Sequence, residues 1–316
     1  MPAPSSARRG PHLVGVIDTE IASPLDPLDP HRRLPCSIWY PAAADQTEGE
    51  GAAHPLELRH RANQGLAPFE GRCPLIVFSH GNSGYRQQST FLTTHLASWG
   101  FVVAAPDHAG NTFGEMFALK TEEERRAVHL RARAQRPEDV RSTIHALADT
   151  THEESRRPPI EPIAIGVIGH SFGGWTALKL PALDRRVRAL CCLAPASEPF
   201  VGRKAFAPGE LPLPSHVQSL VIAARDDVLV DLEDSVHPLF GRLGAAAELE
   251  ILPDADHFHF CDGIELLHRM HENQPRPDQP RPTRPLSQLM AEEETHDWLN
   301  GRVTRFFLDA LDGATP

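Results

Sequence analysis

Apolar and polar positions along the chain fall into short apolar runs separated by longer amphipathic stretches. Residues 13–17, 37–40, 75–78 and 101–105 are runs rich in apolar and β-branched types closed by turn residues, which predicts strands. Between the last two, Phe91, Leu92, His95, Leu96 and Trp99 recur at helical spacing over 87–99, and the pattern stops at Gly100, a residue suited to the left-handed helix cap. The stretch 111–135 is polar and arginine-rich and reads as a helical insertion over the sheet edge. Pro137-Glu138-Asp139-Val140 then reads as the first turn of a new helix reaching Ala148, with proline where no N–H is needed and carboxylates at the positive end. Further strands at 163–168, 187–193, 219–224 and 247–252 alternate with helical patterns at 171–180, 231–243 and 293–311. This alternation predicts the α/β class: a mostly parallel eight-stranded sheet, helices on both faces, and functional groups gathered at the carboxyl ends of the strands.

One of those strand-to-helix junctions carries chemistry. Ile165-Gly166-Val167-Ile168-Gly169-His170-Ser171-Phe172-Gly173-Gly174 is a strand that breaks at Gly169, exposes a serine flanked by glycines, and resumes as a helix through Trp175-Thr176-Ala177-Leu178-Lys179-Leu180. Glycines two before and two after the serine let strand and helix approach, so the turn is a tight elbow with Ser171 at its apex. Free N–H groups at the start of the helix are suited to a developing oxyanion, as acyl transfer to serine requires. A serine hydroxyl is a weak nucleophile and needs a base, and the base needs a group that orients it. Residues 220–224 run into Asp226 and Asp227, either of which is placed to be that acid, and the last strand runs into His257, the natural base. The order serine, acid, histidine is one of the known solutions to triad geometry.

Composition narrows the classes. A length of 316 residues, with 41% hydrophobic and 23% charged residues, is that of a soluble globular chain, expected here as a single domain over 1–316. The net charge of −11 argues against nucleic acid and anionic membrane as partners, since both reward lysine and arginine. No apolar run approaches the roughly 18 residues of a membrane span, and residues 13–17 are too short for a signal-peptide core, so a cytoplasmic location is expected. Cys36, Cys73, Cys191, Cys192 and Cys261 show no metal-ligand spacing and no dense disulfide pattern, although a Cys36–Cys73 bridge is open. Proline crowds into 264–289, at Pro275, Pro277, Pro280, Pro282 and Pro285; this segment and 198–214 read as irregular insertions that shape substrate entry or are plain solvated loops. His257, His259, Cys261, His268 and His271 invite a metal reading, but alternation along an extended segment sets His257 and His259 on opposite sides, so no metal and no cofactor are expected. Phe258 and Phe260 read as packing residues beside the base.

Four separated blocks carry a resemblance: Ser37-Ile38-Trp39-Tyr40-Pro41; Val77-Phe78-Ser79-His80-Gly81-Asn82-Ser83-Gly84 with Leu96-Ala97-Ser98-Trp99-Gly100-Phe101-Val102-Val103-Ala104-Ala105-Pro106-Asp107-His108; Arg136-Pro137-Glu138-Asp139-Val140; and the Ser171 elbow. Through them the sequence resembles α/β-hydrolases of the dienelactone hydrolase-like group, close to the platelet-activating factor acetylhydrolases. The resemblance implies that His80-Gly81-Asn82 is the loop after the third strand whose backbone N–H, at Asn82, joins that of Phe172 as the oxyanion hole. It implies Asp227 as the acid, because Ala224-Arg225-Asp226-Asp227 matches the pattern common after this strand. The acetylhydrolases place the acid one strand earlier, where this chain reads Ala194-Pro195-Ala196-Ser197-Glu198, so Glu198 is the outside candidate. Dienelactone hydrolase uses a cysteine where this chain has Ser171, which argues against a dienelactone substrate. His80, His108 and His170 are expected to be structural. The implied activity is hydrolysis of a small carboxylic ester through an acyl-enzyme; thioester, amide or polyester cleavage, acyl transfer to an alcohol, or a silent binding protein on the same fold are the alternatives.

Overall fold

A computed structural model describes residues 5–47, 51–58, 60–149, 157–273, 279 and 281–311. Among the described residues nine strands form one sheet: β1 (Val14–Ala22), β2 (Arg33–Pro41), β3 (Asn63–Gln64), β4 (Cys73–Ser79), β5 (Val102–Pro106), β6 (Ile160–His170), β7 (Val187–Leu193), β8 (Gln218–Ala224) and β9 (Ala247–Leu252). Their order is β3-β1-β2-β5-β4-β6-β7-β8-β9. The β1–β2 and β2–β5 pairs are antiparallel, and from β5 to β9 every pair is parallel. The strand beyond the expected eight is β3, a two-residue pairing alongside β1 that is too short to leave a hydrophobic signature. The central strands are buried on both faces, which is why they read as near-continuous apolar runs.

Among the described residues eight α-helices accompany the sheet: α1 (Thr90–Ser98), α2 (Phe113–Ala118), α3 (Glu122–Ala148), α4 (Phe172–Leu183), α5 (Glu198–Val201), α6 (His237–Phe240), α7 (Ile264–Asn273) and α8 (Glu292–Leu311). One face of the sheet packs Ile76, Phe78 and Ile168 against Leu92 and Leu96 of α1 and Trp298 and Phe307 of α8. The other packs Leu75, Val77 and Val167 against Val140 and Ile144 of α3 and Leu178 of α4. Burying both faces removes several thousand Å² of apolar surface from water at about 25 cal/mol per Å².

Three readings of the sequence change. The insertion and the Pro137-led helix are one continuous α3: it starts at Thr121, whose side chain accepts from the Glu124 N–H while Glu124 caps the Thr121 N–H in return, and Pro137 lies inside it. An interior proline costs about 3 kcal/mol of helix stability, and burial of Val128, Ala132, Val140, Ile144 and Leu147 on either side offsets that loss. Residues 264–273, taken as irregular, form the amphipathic helix α7, because the prolines begin only at Pro275; Pro275, Pro277 and Pro280 themselves lie outside the described residues. The helix expected at 231–243 divides into a turn at Leu232–Val236 and α6, with Pro238 at the junction. All five cysteines are free and buried, so Cys36 and Cys73 are not bridged.

Candidate active site

The carboxyl ends of β4, β6, β7, β8 and β9 lie side by side in that order, with Ser79 of β4 in register with Gly169 of β6. From the end of β6 comes Ser171, at φ 56° and ψ −117°, a conformation an L-residue holds only when its surroundings enforce it. Its N–H donates to the Leu193 carbonyl at 2.8 Å, and its own carbonyl accepts from Gly174 and Ala196, each at 2.9 Å. The glycine requirement is steric. A Cβ on Gly169 would stand 1.9 Å from the Gly173 carbonyl oxygen, and one on Gly173 would stand 1.9 Å from that of Ser79.

After β9, Asp256 caps a single tight turn, His257–Phe260, by accepting from the Phe258 N–H at 2.9 Å. The segment is therefore helical rather than extended, and the turn, not strand alternation, separates the two histidines. His257 Nδ1 donates to Asp227 Oδ2 at 2.6 Å. His259 is paired with Asp256 at 2.7 Å and reaches the Met290 carbonyl at 3.1 Å. Asp256 also takes His268 of α7 at 2.5 Å. Among the described residues no cluster of histidine, cysteine and carboxylate groups has metal-site geometry.

Asp227 is buried, and its second oxygen accepts from the N–H groups of Leu229 at 2.7 Å and Val230 at 2.8 Å. The other two carboxylates weighed from the sequence point elsewhere. Asp226 pairs with Arg284 at 3.0 Å, and Glu198 pairs with Arg242. Arg281 adds a hydrogen bond to the Asp227 carbonyl at 2.9 Å, so the described end of the proline-rich insertion straps the Asp227 loop. The sequence pattern gave no sign of this strap, because both arginines belong to a stretch without periodicity.

Ser171 and His257 share a cavity of about 430 Å3 with Gly81 and Asn82, a volume suited to a small organic ligand. Each insertion supplies part of its wall: Phe113 of α2, Phe200 of α5, and Leu267, Met270 and His271 of α7. Phe258 lines it as well, whereas Phe260 is wholly buried behind. Among the described residues no lysine, arginine, aspartate or glutamate lines it. Among the described residues the amide N–H groups of Asn82 and Phe172 meet no acceptor; that of Phe172 is the first of a helix, which has no intrahelical partner.

His80, His108 and His170 are buried, and desolvation holds all three well below the usual histidine range. His80 donates from Nδ1 to the Gly81 carbonyl at 2.8 Å and accepts the His108 N–H at 3.0 Å. His108 bridges Ser79 Oγ and Asp139, each at 2.8 Å. Ser79–His108–Asp139 thus repeats the connectivity of a catalytic triad in the interior, where the adjoining void is only about 10 Å3, room for about one water. Triad connectivity alone is not a site; Ser171 differs in opening on a cavity.

A family model described as platelet-activating factor acetylhydrolase, isoform II, matches residues 55–156, which include the His80–Asn82 loop and end before Ser171. Platelet-activating factor acetylhydrolase of Bos taurus is 26% identical over 147 residues, covering 36% of this chain and 33% of that protein. The Cavia porcellus enzyme of the same name is 27% identical over 156 residues, covering 39% and 35%. The chain thus spans about a third of the length of the curated relatives it matches. Among solved structures, a ferulic acid esterase from Streptomyces cinnamoneus superposes with a TM-score of 0.69 over 98% of this chain and 92% of that one, at 24% identity. The fold is that of the α/β-hydrolases.

Proposed function

We propose that this chain is a serine hydrolase of carboxylic esters. The observation that carries the reading is the Asp227–His257 pair at 2.6 Å beside the cavity onto which the strained Ser171 opens. Ser171 Oγ attacks the ester carbonyl carbon while His257 Nε2 takes its proton, and Asp227 keeps the imidazole in the tautomer with Nδ1 protonated and then balances the imidazolium. The negative charge that develops on the carbonyl oxygen is received by the N–H groups of Asn82 and Phe172, two fixed donors. Collapse expels the alcohol with the proton from His257, and water repeats the sequence to free the acid.

The names of the relatives and of the structural neighbour denote ester-cleaving enzymes, in keeping with this chemistry. Since the described lining holds no side chain of fixed charge, an ionised acyl group would lose its hydration there without gaining a partner, which favours a neutral acyl group. Five free thiols fit a reducing, cytoplasmic setting. Replacing Ser171 by alanine is expected to abolish turnover of p-nitrophenyl butyrate and labelling by a fluorophosphonate; turnover surviving in the variant would refute the mechanism.

A further inference from the structure

Beneath the Asn82 loop lies Arg136, from the middle of α3. Its side chain is fully buried, and its contacts are neutral ones. One guanidinium nitrogen donates to Asn111 Oδ1 at 2.6 Å and approaches the Gly81 carbonyl at 3.4 Å; the other donates to the His80 carbonyl and lies 3.5 Å from that of Gly81. The guanidinium also stacks on Phe172, 4.7 Å from the ring centre. Asp139, one turn further along α3, is paired with Arg32 instead. Burial pulls the Arg136 pKa down to about 9, so the group stays a cation at neutral pH. Asp139 attracts the cation at longer range without touching it; keeping a cation in the interior with no carboxylate in contact is costly, and every group it touches belongs to, or supports, the two residues assigned to the oxyanion.

The geometry of one peptide unit shows what the cation does. In a trans peptide the C=O and the following N–H point in opposite directions. The Gly81 carbonyl and the Asn82 N–H are the two ends of one such unit. That carbonyl is held on the interior side by His80 Nδ1 at 2.8 Å, by the Gly84 N–H at 3.1 Å and by Arg136. The Asn82 N–H is thereby turned toward the cavity. From the other side, Asn111, itself held by Arg136, donates to Asn82 Oδ1 at 3.0 Å. The preceding Gly81 N–H is already committed to Gln88 Oε1 at 3.0 Å, which leaves Asn82 as the donor facing the substrate. A carbonyl that accepts from a cation is polarised, and its own peptide N–H becomes a better donor.

We propose that Arg136 is the positioning residue of the oxyanion hole: it locks the Gly81–Asn82 peptide and the Asn82 side chain from below and presses on Phe172, aiming both donors at the reacting oxygen. This rests on the serine-hydrolase reading, and one set of measurements separates the two. Arg136→Gln, Arg136→Lys and Asn111→Ala are assayed with p-nitrophenyl butyrate, with active sites counted by fluorophosphonate labelling so that misfolded protein drops out. Arg136→Gln should lower kcat per labelled site by about 10²- to 10³-fold, the loss typical of one oxyanion donor, with KM changed less than about threefold. Binding of a trifluoromethyl ketone, which forms a tetrahedral adduct on Ser171, should weaken in step with kcat. Arg136→Lys should not restore the rate, since an ammonium cannot fork between two carbonyls and an amide. Asn111→Ala, which leaves the cation in place, should lower kcat by about tenfold, within the hundredfold that a small misplacement can cost. A folded Arg136→Gln with wild-type kcat, or one whose loss disappears once active sites are counted, overturns the proposal. Should Arg136→Gln fail to fold, an unchanged kcat and ketone affinity in Asn111→Ala overturns it. A wild-type protein that turns over no ester would instead sink the hydrolase reading.

Discussion

His170 donates its Nε2–H to the main-chain carbonyl of His257 at 3.1 Å, so the residue before the elbow serine holds the backbone of the histidine that faces the same cavity. Its other ring nitrogen accepts from Gln88 at 3.0 Å, and Gln88 Oε1 in turn accepts the Gly81 N–H, which ties the Asn82 loop, the elbow and the histidine turn into one chain. Burial keeps His170 neutral, as these roles demand. Replacing it by leucine should lower kcat by about 10- to 100-fold through misplacement of His257, with little change in KM. Steady-state kinetics on p-nitrophenyl butyrate decides, and a wild-type kcat would show that the turn holds His257 unaided.

The two neighbouring aspartates should separate sharply. Asp227→Asn leaves the shape intact but removes the carboxylate that sets the His257 tautomer, and a loss of about 10⁴ in kcat is expected. Asp226→Asn breaks only the partly exposed pair with Arg284, worth about 1 kcal/mol or less, and should leave kcat within about twofold. A crippled Asp226 variant beside a competent Asp227 variant would reverse the assignment.

Acid should destabilise the fold through its buried histidines. Desolvation brings His95 and His296 down to about 4 and holds His80, His108 and His170 well below their ordinary value. Between pH 6.5 and 4 the unfolded chain therefore binds protons that the folded chain refuses, and stability falls as pH falls, by about 1.4 kcal/mol per pH unit for each such proton. Asp139 works in the opposite sense: burial raises it to about 7, so its contribution is greatest below pH 4 and is lost as pH rises to 7. Burial raises Asp107, Glu138 and Glu292 as well and lowers His60 and His129, so among the described residues seven lowered histidines stand against four raised carboxyls, and the histidines outweigh them. Thermal unfolding should give a Tm several degrees lower at pH 5.5 than at pH 7.5, and His296→Gln should flatten that difference.

Charge on the acyl group should matter more than its length. Among the described residues the cavity wall has no fixed cation, so p-nitrophenyl butyrate should exceed the p-nitrophenyl monoester of succinate in kcat/KM by at least about a hundredfold, the equivalent of roughly 3 kcal/mol for an uncompensated carboxylate. Comparable rates for the two esters would point to a cation reaching the site. Met270→Ala, which opens the α7 side of the cavity, should shift the preference toward longer acyl chains.

Strand–helix alternation, the Ser171 elbow and the approach of Asp226, Asp227 and His257 to one sheet edge were all legible in the chain, because burial on both faces writes a strand as an apolar run and a strained turn needs small neighbours. α7 was hidden by the prolines that follow it, and α3 by a proline that ordinarily opens a helix but here lies inside one. Which aspartate meets His257 depends on two backbone N–H groups, those of Leu229 and Val230, that no residue pattern encodes. The web of Gln88, His170, Arg136 and Asn111 beneath the cavity was likewise invisible. Local propensity records what a residue does within its own turn or strand; the direction of a hydrogen bond between segments 50 or more residues apart, such as Arg136 on the Gly81 carbonyl, is settled only when the sheet has brought them together.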